Sequence, residues 1–124
     1  MSWFEDIGGE TALRAIVDDF VDRCFDDVMI GFLFRRAKRE RIKRFEYEHA
    51  AQWLGAEVEY GGRPLEVAHG AHRILGGQFA RRLQILRETL DAHGVPAEIR
   101  DAWLAHHESL RHLVTADPDS NCND

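Results

Sequence analysis

Two histidines three residues apart, His69 and His72 in the stretch EVAHGAHRIL, are the side chains of this 124-residue chain whose type and spacing most invite chemistry. Imidazole nitrogens bind metals and exchange protons near neutral pH. A zinc site needs three or four ligands, commonly with thiolates or carboxylates among them, and no cysteine lies near this pair. An iron porphyrin asks for less, because the macrocycle supplies four nitrogens and one imidazole completes the set. Such a site wants small residues beside the ligand and a wide apolar slot. Ala68, Gly70 and Ala71 flank His69, and Ile74, Phe79 and Leu83 follow as candidate walls. The third reading is a packed histidine with a solvated neighbour, and composition alone favours it.

The second feature is the basic run RRAKRERIKR, Arg35 to Arg44. It reads as a solvated helix face, as a polyanion-binding surface, or as cations for the carboxylates of a bound group. In helical phase Ile42 and Phe45 turn inward, which sets Arg41 and Arg44 at the edge of what lies beneath. His106 and His107 read as a surface and core-edge pair. The sequence has no phosphate-cradling Gly-Lys loop, no Cys-x-x-Cys and no nucleophile with its base.

These residues must be held by a single domain, expected over residues 1–116, with the polar stretch 117–124 a disordered tail. A net charge of -6 argues against a dedicated nucleic-acid binder. The longest uncharged apolar run, Val28 to Phe34, is too short to span a bilayer. The opening residues lack the basic start and apolar centre of a signal peptide, so the cytoplasm is the expected location. Cys24 falls on an apolar helix face and Cys122 in the tail, an arrangement that predicts no structural disulfide.

Periodicity predicts an all-α fold. Leu13, Ile16, Val17, Phe20, Val21, Cys24 and Phe25 keep the three-four spacing of an amphipathic helix, with Thr11 as N-cap. The segment VMIGFLF leads into a second helix from Arg36 to Leu54, its inner stripe Ile42, Phe45, His49, Ala50 and Trp53. Tyr60 to Pro64 reads as a turn, and Leu65 to Gly70 as a short helical piece carrying His69. A third helix after Gly76-Gly77 places Phe79, Leu83, Leu86 and Leu90 on one face and stops at His93-Gly94. Pro96 opens a fourth, burying Ile99, Trp103, His107 or His106, Leu110 and Leu113.

In this order the parts resemble the truncated haemoglobins, shortened bacterial globins with a two-over-two helical sandwich. FEDIGGETALRAIVDDF is similar to the family's opening, where an aromatic residue and Ile-Gly-Gly precede a helix ending in Asp-Phe. Leu33-Phe34 falls where the family has Phe-Phe. WLGAEVEYGGRPL parallels its Leu-Gly-Gly, Tyr-x-Gly and Pro segment, with Tyr60 as the tyrosine. Pro64, His69 and Ile74 repeat the family's spacing around its histidine. The closing GVPAEIRDAWLAHHESLRHLV resembles the last helix, with a flavour of the family's second group. The likeness runs from about Phe4 to Val114.

The resemblance implies haem as cofactor and His69 as the iron ligand. Phe34 takes the ring-stacking role and Phe79 the proximal face, with Leu83 and Ile74 beside it. Ile42 is the helix residue nearest the distal ligand, Phe45 and Tyr60 line the cofactor, and Arg41 suits the propionates. His72, one turn past His69, reaches a propionate or solvent. Two positions depart from the family. Val21 stands where many relatives hold dioxygen with a tyrosine, and Glu46 where a glutamine assists. An ionised Glu46 repels a ligand carrying partial negative charge, unless it is protonated or turned toward Arg44 or another cation. Tyr47 and His49 are the substitute distal residues, and His49 is a candidate sixth iron ligand. The expected function is therefore binding of a diatomic gas (oxygen, nitric oxide or carbon monoxide) for ligand binding, sensing or redox detoxification, the last needing a reductase partner. Gas binding is preferred to nitric oxide dioxygenation. The alternative is an all-α interaction or nucleic-acid module using the Arg35 to Arg44 face.

Overall fold

Helix α2 (Gly9–Asp26) is the element on which the others are laid, and its apolar stripe explains why. Leu13, Ile16, Val17, Phe20, Val21 and Cys24 are all buried. The helix starts at Gly9 rather than after the Thr11 cap expected from sequence. Gly8 makes the difference. It sits at φ 113°, where a β-carbon would also come within 2.7 Å of Ala12 Cβ, and only glycine takes that backbone without strain. The computed structural model describes residues 2–61 and 75–115. His69, His72, Ile74, the short helix expected over Leu65 to Gly70 and the polar tail lie outside the described residues.

Before α2 comes a helix that periodicity did not reveal, α1 (Trp3–Asp6). Ser2 Oγ accepts the Glu5 N–H at 3.3 Å, and the Phe4 N–H donates to the Leu54 carbonyl at 3.0 Å. Trp3 thereby meets Trp53, ring centroids 5.7 Å apart.

The corner after α2 is fixed by one carboxylate. Asp27 Oδ2 accepts the N–H groups of Met29 and Ile30, while Oδ1 accepts Nε and Nη2 of Arg81 at 3.1 and 2.7 Å. That ties the following 3-10 turn (Gly31–Phe34) to α4 (Gly76–Ala92). Helix α3 (Arg39–Trp53) follows three residues later than the Arg36 start expected. Its basic residues lie along the acidic side of α2. Arg39 bonds Asp22 at 3.1 Å, and Lys43 reaches Asp22 at 3.0 Å and Asp18 at 3.8 Å. Part of the basic run is thus spent inside the chain, while Arg35, Arg36 and Arg41 stay exposed.

Gln78 Oε1 accepts the Leu75 N–H at 2.8 Å and starts α4. Gly94, at φ 69°, ends it, letting Val95 N–H return to the Leu90 carbonyl at 3.0 Å. Pro96 caps α5 (Ala97–Ser109), so α4 and α5 form a tight hairpin. The single fourth helix read from sequence is divided at Leu110, with α6 (Arg111–Val114) beyond it. Ser109 Oγ bonds back to the His106 carbonyl, and Leu110 N–H closes onto His107 three residues back. Both contacts tighten the last turn and stop α-helical propagation. With α2 on α3 and α4 on α5, and α2 in contact with α4, the four long helices make the two-over-two sandwich.

The hydrogen bonds from Arg81 hold the Asp27 carboxyl below the usual carboxylate range. A carboxyl depressed in the folded state stabilises at neutral pH, and that contribution is lost as pH falls through its folded value. Asp27→Asn is expected to lower the melting temperature by a few degrees at pH 7. In thermal melts at decreasing pH, the gap from the parent should close below the ordinary carboxylate range.

Candidate functional site

Helix periodicity puts Ile42, Phe45, Glu46 and His49 on one side of α3, spaced three, one and three residues apart. All four are only half-buried. Tyr60 meets two of them, its ring 6.0 Å from Phe45 and 5.6 Å from His49, edge-on to both. Arg41 and Arg44 stand at the outer edge, their guanidinium carbons 5.4 and 5.1 Å from the Phe45 ring. Leu83 of α4 is also half-buried. Half-exposed apolar side chains of this kind are open surface rather than closed core.

The floor of this region is polar, and sequence reasoning did not foresee its centre. Arg82 of α4 donates through Nη2 to Glu46 Oε1 at 2.9 Å and through Nη1 to His107 Nδ1 at 2.8 Å. Its guanidinium lies 5.0 Å from the buried Phe20 ring of α2. The cation that meets Glu46 is therefore Arg82, whereas Arg44 pairs with Glu48. A guanidinium only donates, so His107 Nδ1 is an acceptor and the ring proton sits on Nε2. Burial first, then the adjacent Arg82 charge, pushes the His107 imidazole well below its usual value. The ring is neutral. The signal available in sequence was an arginine inside the apolar run Phe79, Leu83, Leu86, Leu90, one position from its centre.

Beside the floor, His49 stacks on His106 at 5.6 Å, and His106 stacks on Trp53 at 4.9 Å and 13°. Trp103 continues the row at 6.1 Å from Trp53. Burial, with a smaller effect from His49, lowers the His106 pKa. Among the described residues its Nε2 atom is buried without a hydrogen-bond partner.

The other expected site residues are placed as follows. Val21 is buried with Phe20 and Cys24 in the α2 stripe. Cys24 is no nucleophile, because burial pushes its thiol up to about 12. Phe34 is half-buried and stacks on Phe25 at 4.9 Å. Phe79 is 2% exposed and lies apart from the main core cluster, with Arg111 5.6 Å from its ring. Tyr47 turns the other way, under Arg14 of α2 at 4.1 Å. Of the two substitute distal residues, then, His49 alone joins the Glu46 side. His69, His72 and Ile74 lie outside the described residues, among which no cluster of His, Cys, Asp and Glu has the geometry for a metal ion.

Residues 2–116 match the model of the bacterial-like globin family. The group 1 truncated haemoglobin of Mycolicibacterium paratuberculosis is 31% identical over 97 residues, covering 78% of this chain and 71% of that protein. Among solved structures, the haemoglobin of the thermophilic phototroph Chloroflexus aurantiacus superposes with a TM-score of 0.82 at 26% identity, over 94% of this chain and 99% of that one. The truncated haemoglobin of Tetrahymena pyriformis in its Fe(III) form gives 0.84 at 21% identity, over 94% and 100%.

The neutral His107 makes a pH prediction. A histidine whose folded pKa is depressed must take up its proton on unfolding, so stability falls as pH drops below the ordinary histidine value. Urea titrations at pH 7 and pH 5 should show this loss, and His107→Gln, which keeps an acceptor for Arg82, should remove much of it.

Proposed function

This chain belongs to the bacterial-like globin family, with truncated haemoglobins among its relatives, and from that premise we propose that it binds a diatomic gas at a haem iron held by His69. Haem is the cofactor of the family. The residues present suit it. A porphyrin needs broad apolar walls and charged groups at its edge, and Ile42, Phe45 and Leu83 offer half-exposed apolar surface beside Arg41 and Arg44. Beside His49, the His106 Nε2 atom is a buried polar group with no partner among the described residues.

In this reading His69 holds the iron, with Ile74 and Phe79 on its side and Phe34 against the macrocycle. His72 and Arg41 face the propionates, and Tyr60 with Phe45 covers the edge. Bound haem supplies the reversible bond to the gas; the chain supplies exclusion of water and the electrostatics next to it. The observation that carries the proposal is the neutralised floor. Glu46 alone would repel a ligand gaining negative charge, and its ion pair with Arg82 cancels that repulsion. Retention of dioxygen then does not depend on the missing tyrosine at Val21.

Gas binding or sensing is the role we assign, because nitric oxide detoxification needs repeated reduction by a partner. No helix among the described residues is long and apolar enough to cross a membrane, and we place the protein in the cytoplasm. The test is the absorption spectrum of purified protein supplied with haem. A Soret band that shifts on adding carbon monoxide to the reduced protein, and collapses in His69→Ala, is expected. A folded, colourless parent protein would contradict the proposal.

A further inference from the structure

Three of the four large apolar side chains exposed among the described residues sit together at the corner after α2. They are Val28 at 97%, Met29 at 58% and Phe32 at 51%. The backbone there cannot fold them away. The Gly31 N–H returns to the Asp27 carbonyl at 2.8 Å, and the Leu33 N–H to the Ile30 carbonyl at 2.9 Å. A β-carbon at Gly31 would come within 2.6 Å of the Phe25 carbonyl oxygen. This tight turn commits Ile30 to the core and leaves its neighbours as an apolar knuckle in water, the kind of patch that marks an interaction site. The two ends of the knuckle differ in charge. At the Val28 end opens a cleft of about 490 Å³, lined by Asp22, Asp26 and Glu88 together with Val28 itself. Asp26 is 72% accessible, its one ion pair among the described residues being a 3.5 Å contact with Arg39, and Glu88 is exposed. The arginines of the cleft, Arg23 and Arg81, are spent on Asp19 and Asp27. At the other end the Arg35 N–H bonds the Phe32 carbonyl at 3.3 Å, and the side chains of Arg35, Arg36 and Lys38 are exposed. Among the described residues none of these three forms an ion pair.

We propose that the knuckle of Val28, Met29 and Phe32 is a docking surface for a second copy of this chain, related by a twofold axis through it. The charges choose the partner. A surface with carboxylates at one end of an apolar strip and cations at the other is complementary to itself after half a turn. Asp26 and Glu88 of each copy then face Arg35 and Arg36 of the other. Apolar burial drives the association, while the exposed ion pairs fix its orientation and add little, because water and salt screen them. Specific interfaces commonly bury about 800 Å² on each partner. Three apolar side chains with a charged rim fall at the small end, so the dimer is reversible, in the micromolar range. This inference stands apart from the haem reading, since none of these side chains is assigned to the cofactor.

Sedimentation of the full chain over a range of concentrations at low salt is the test. The parent should form a dimer that dissociates on dilution and weakens as salt is added. Met29→Ser with Phe32→Ser should raise the dissociation constant at least about tenfold, since both side chains lose the burial that drives docking. Charge reversal gives the sharper reading. Arg35→Glu with Arg36→Glu sets acid against acid at both ends of the interface, and Asp26→Lys with Glu88→Lys sets base against base. Each of these variants alone should be monomeric where the parent dimerises. Mixed together they should pair as a heterodimer, with a dissociation constant near that of the parent. All the substituted side chains are exposed, and an unchanged melting curve checks that each variant is folded. The proposal is overturned if the parent stays monomeric at millimolar concentration, or if association runs on past the dimer. It is equally overturned if folded variants of opposite charge do not pair when mixed. A dimer that survives the two serines is held by another surface, and also overturns it.

Discussion

Arg82 carries a full charge into the junction of the four long helices, and the arrangement around it depends on satisfying that charge. It springs from α4, bonds Glu46 of α3 and His107 of α5, and lies over Phe20 of α2. Taking one partner from a buried pair costs about 3–5 kcal/mol, chiefly through the charge left behind; the residual exposure of this pair reduces that figure. Neither α3 nor α5 can slide along α4 without breaking a bond to the guanidinium. The same constraint fixes a histidine tautomer and neutralises a carboxylate. A hydrophobic side chain at position 82 would pack as well, but would define none of these.

Charge complementarity also places α3 from outside. Asp18, Asp22 and Asp26 along α2 receive Lys43 and Arg39, so the helix is registered before its inner face is considered. The single Asp27 then sets the corner between them and anchors it to Arg81, the neighbour of Arg82 in sequence. Adjacent arginines thus serve different sides of α4: one pins the chain reversal, the other builds the floor. The stacked rings of His49, His106 and Trp53 fill the remaining interface between α3 and α5 with flat, polarisable surfaces.

The four-helix plan was legible in sequence because amphipathic stripes repeat at three-four spacing, and α2 and α4 follow theirs closely. Local effects escaped the pattern. Gly8 starts α2 early through a left-handed φ, α1 is too short to show a period, and Ser109 ends α5 through a bond to its own backbone. At the site, Glu46 and His49 were singled out from the family likeness, and both are half-buried on α3. Arg82 was not, because its importance comes from partners 36 and 25 residues away in the chain, which spacing cannot show. His107 looked like an edge histidine for the same reason. The roles of His69, His72 and Ile74 rest on the likeness itself.

The central claim is that a gas bound at a haem held by His69 meets Glu46 with its charge already cancelled by Arg82. The C–O stretching frequency of the ferrous carbon monoxide complex reads that balance, since an uncompensated carboxylate beside the ligand opposes electron donation onto it and strengthens the C–O bond. The account predicts a frequency that rises in Arg82→Gln, where Glu46 is left alone, and returns toward the parent value when Glu46→Gln is added. The same frequency in the parent and in Arg82→Gln would contradict the account.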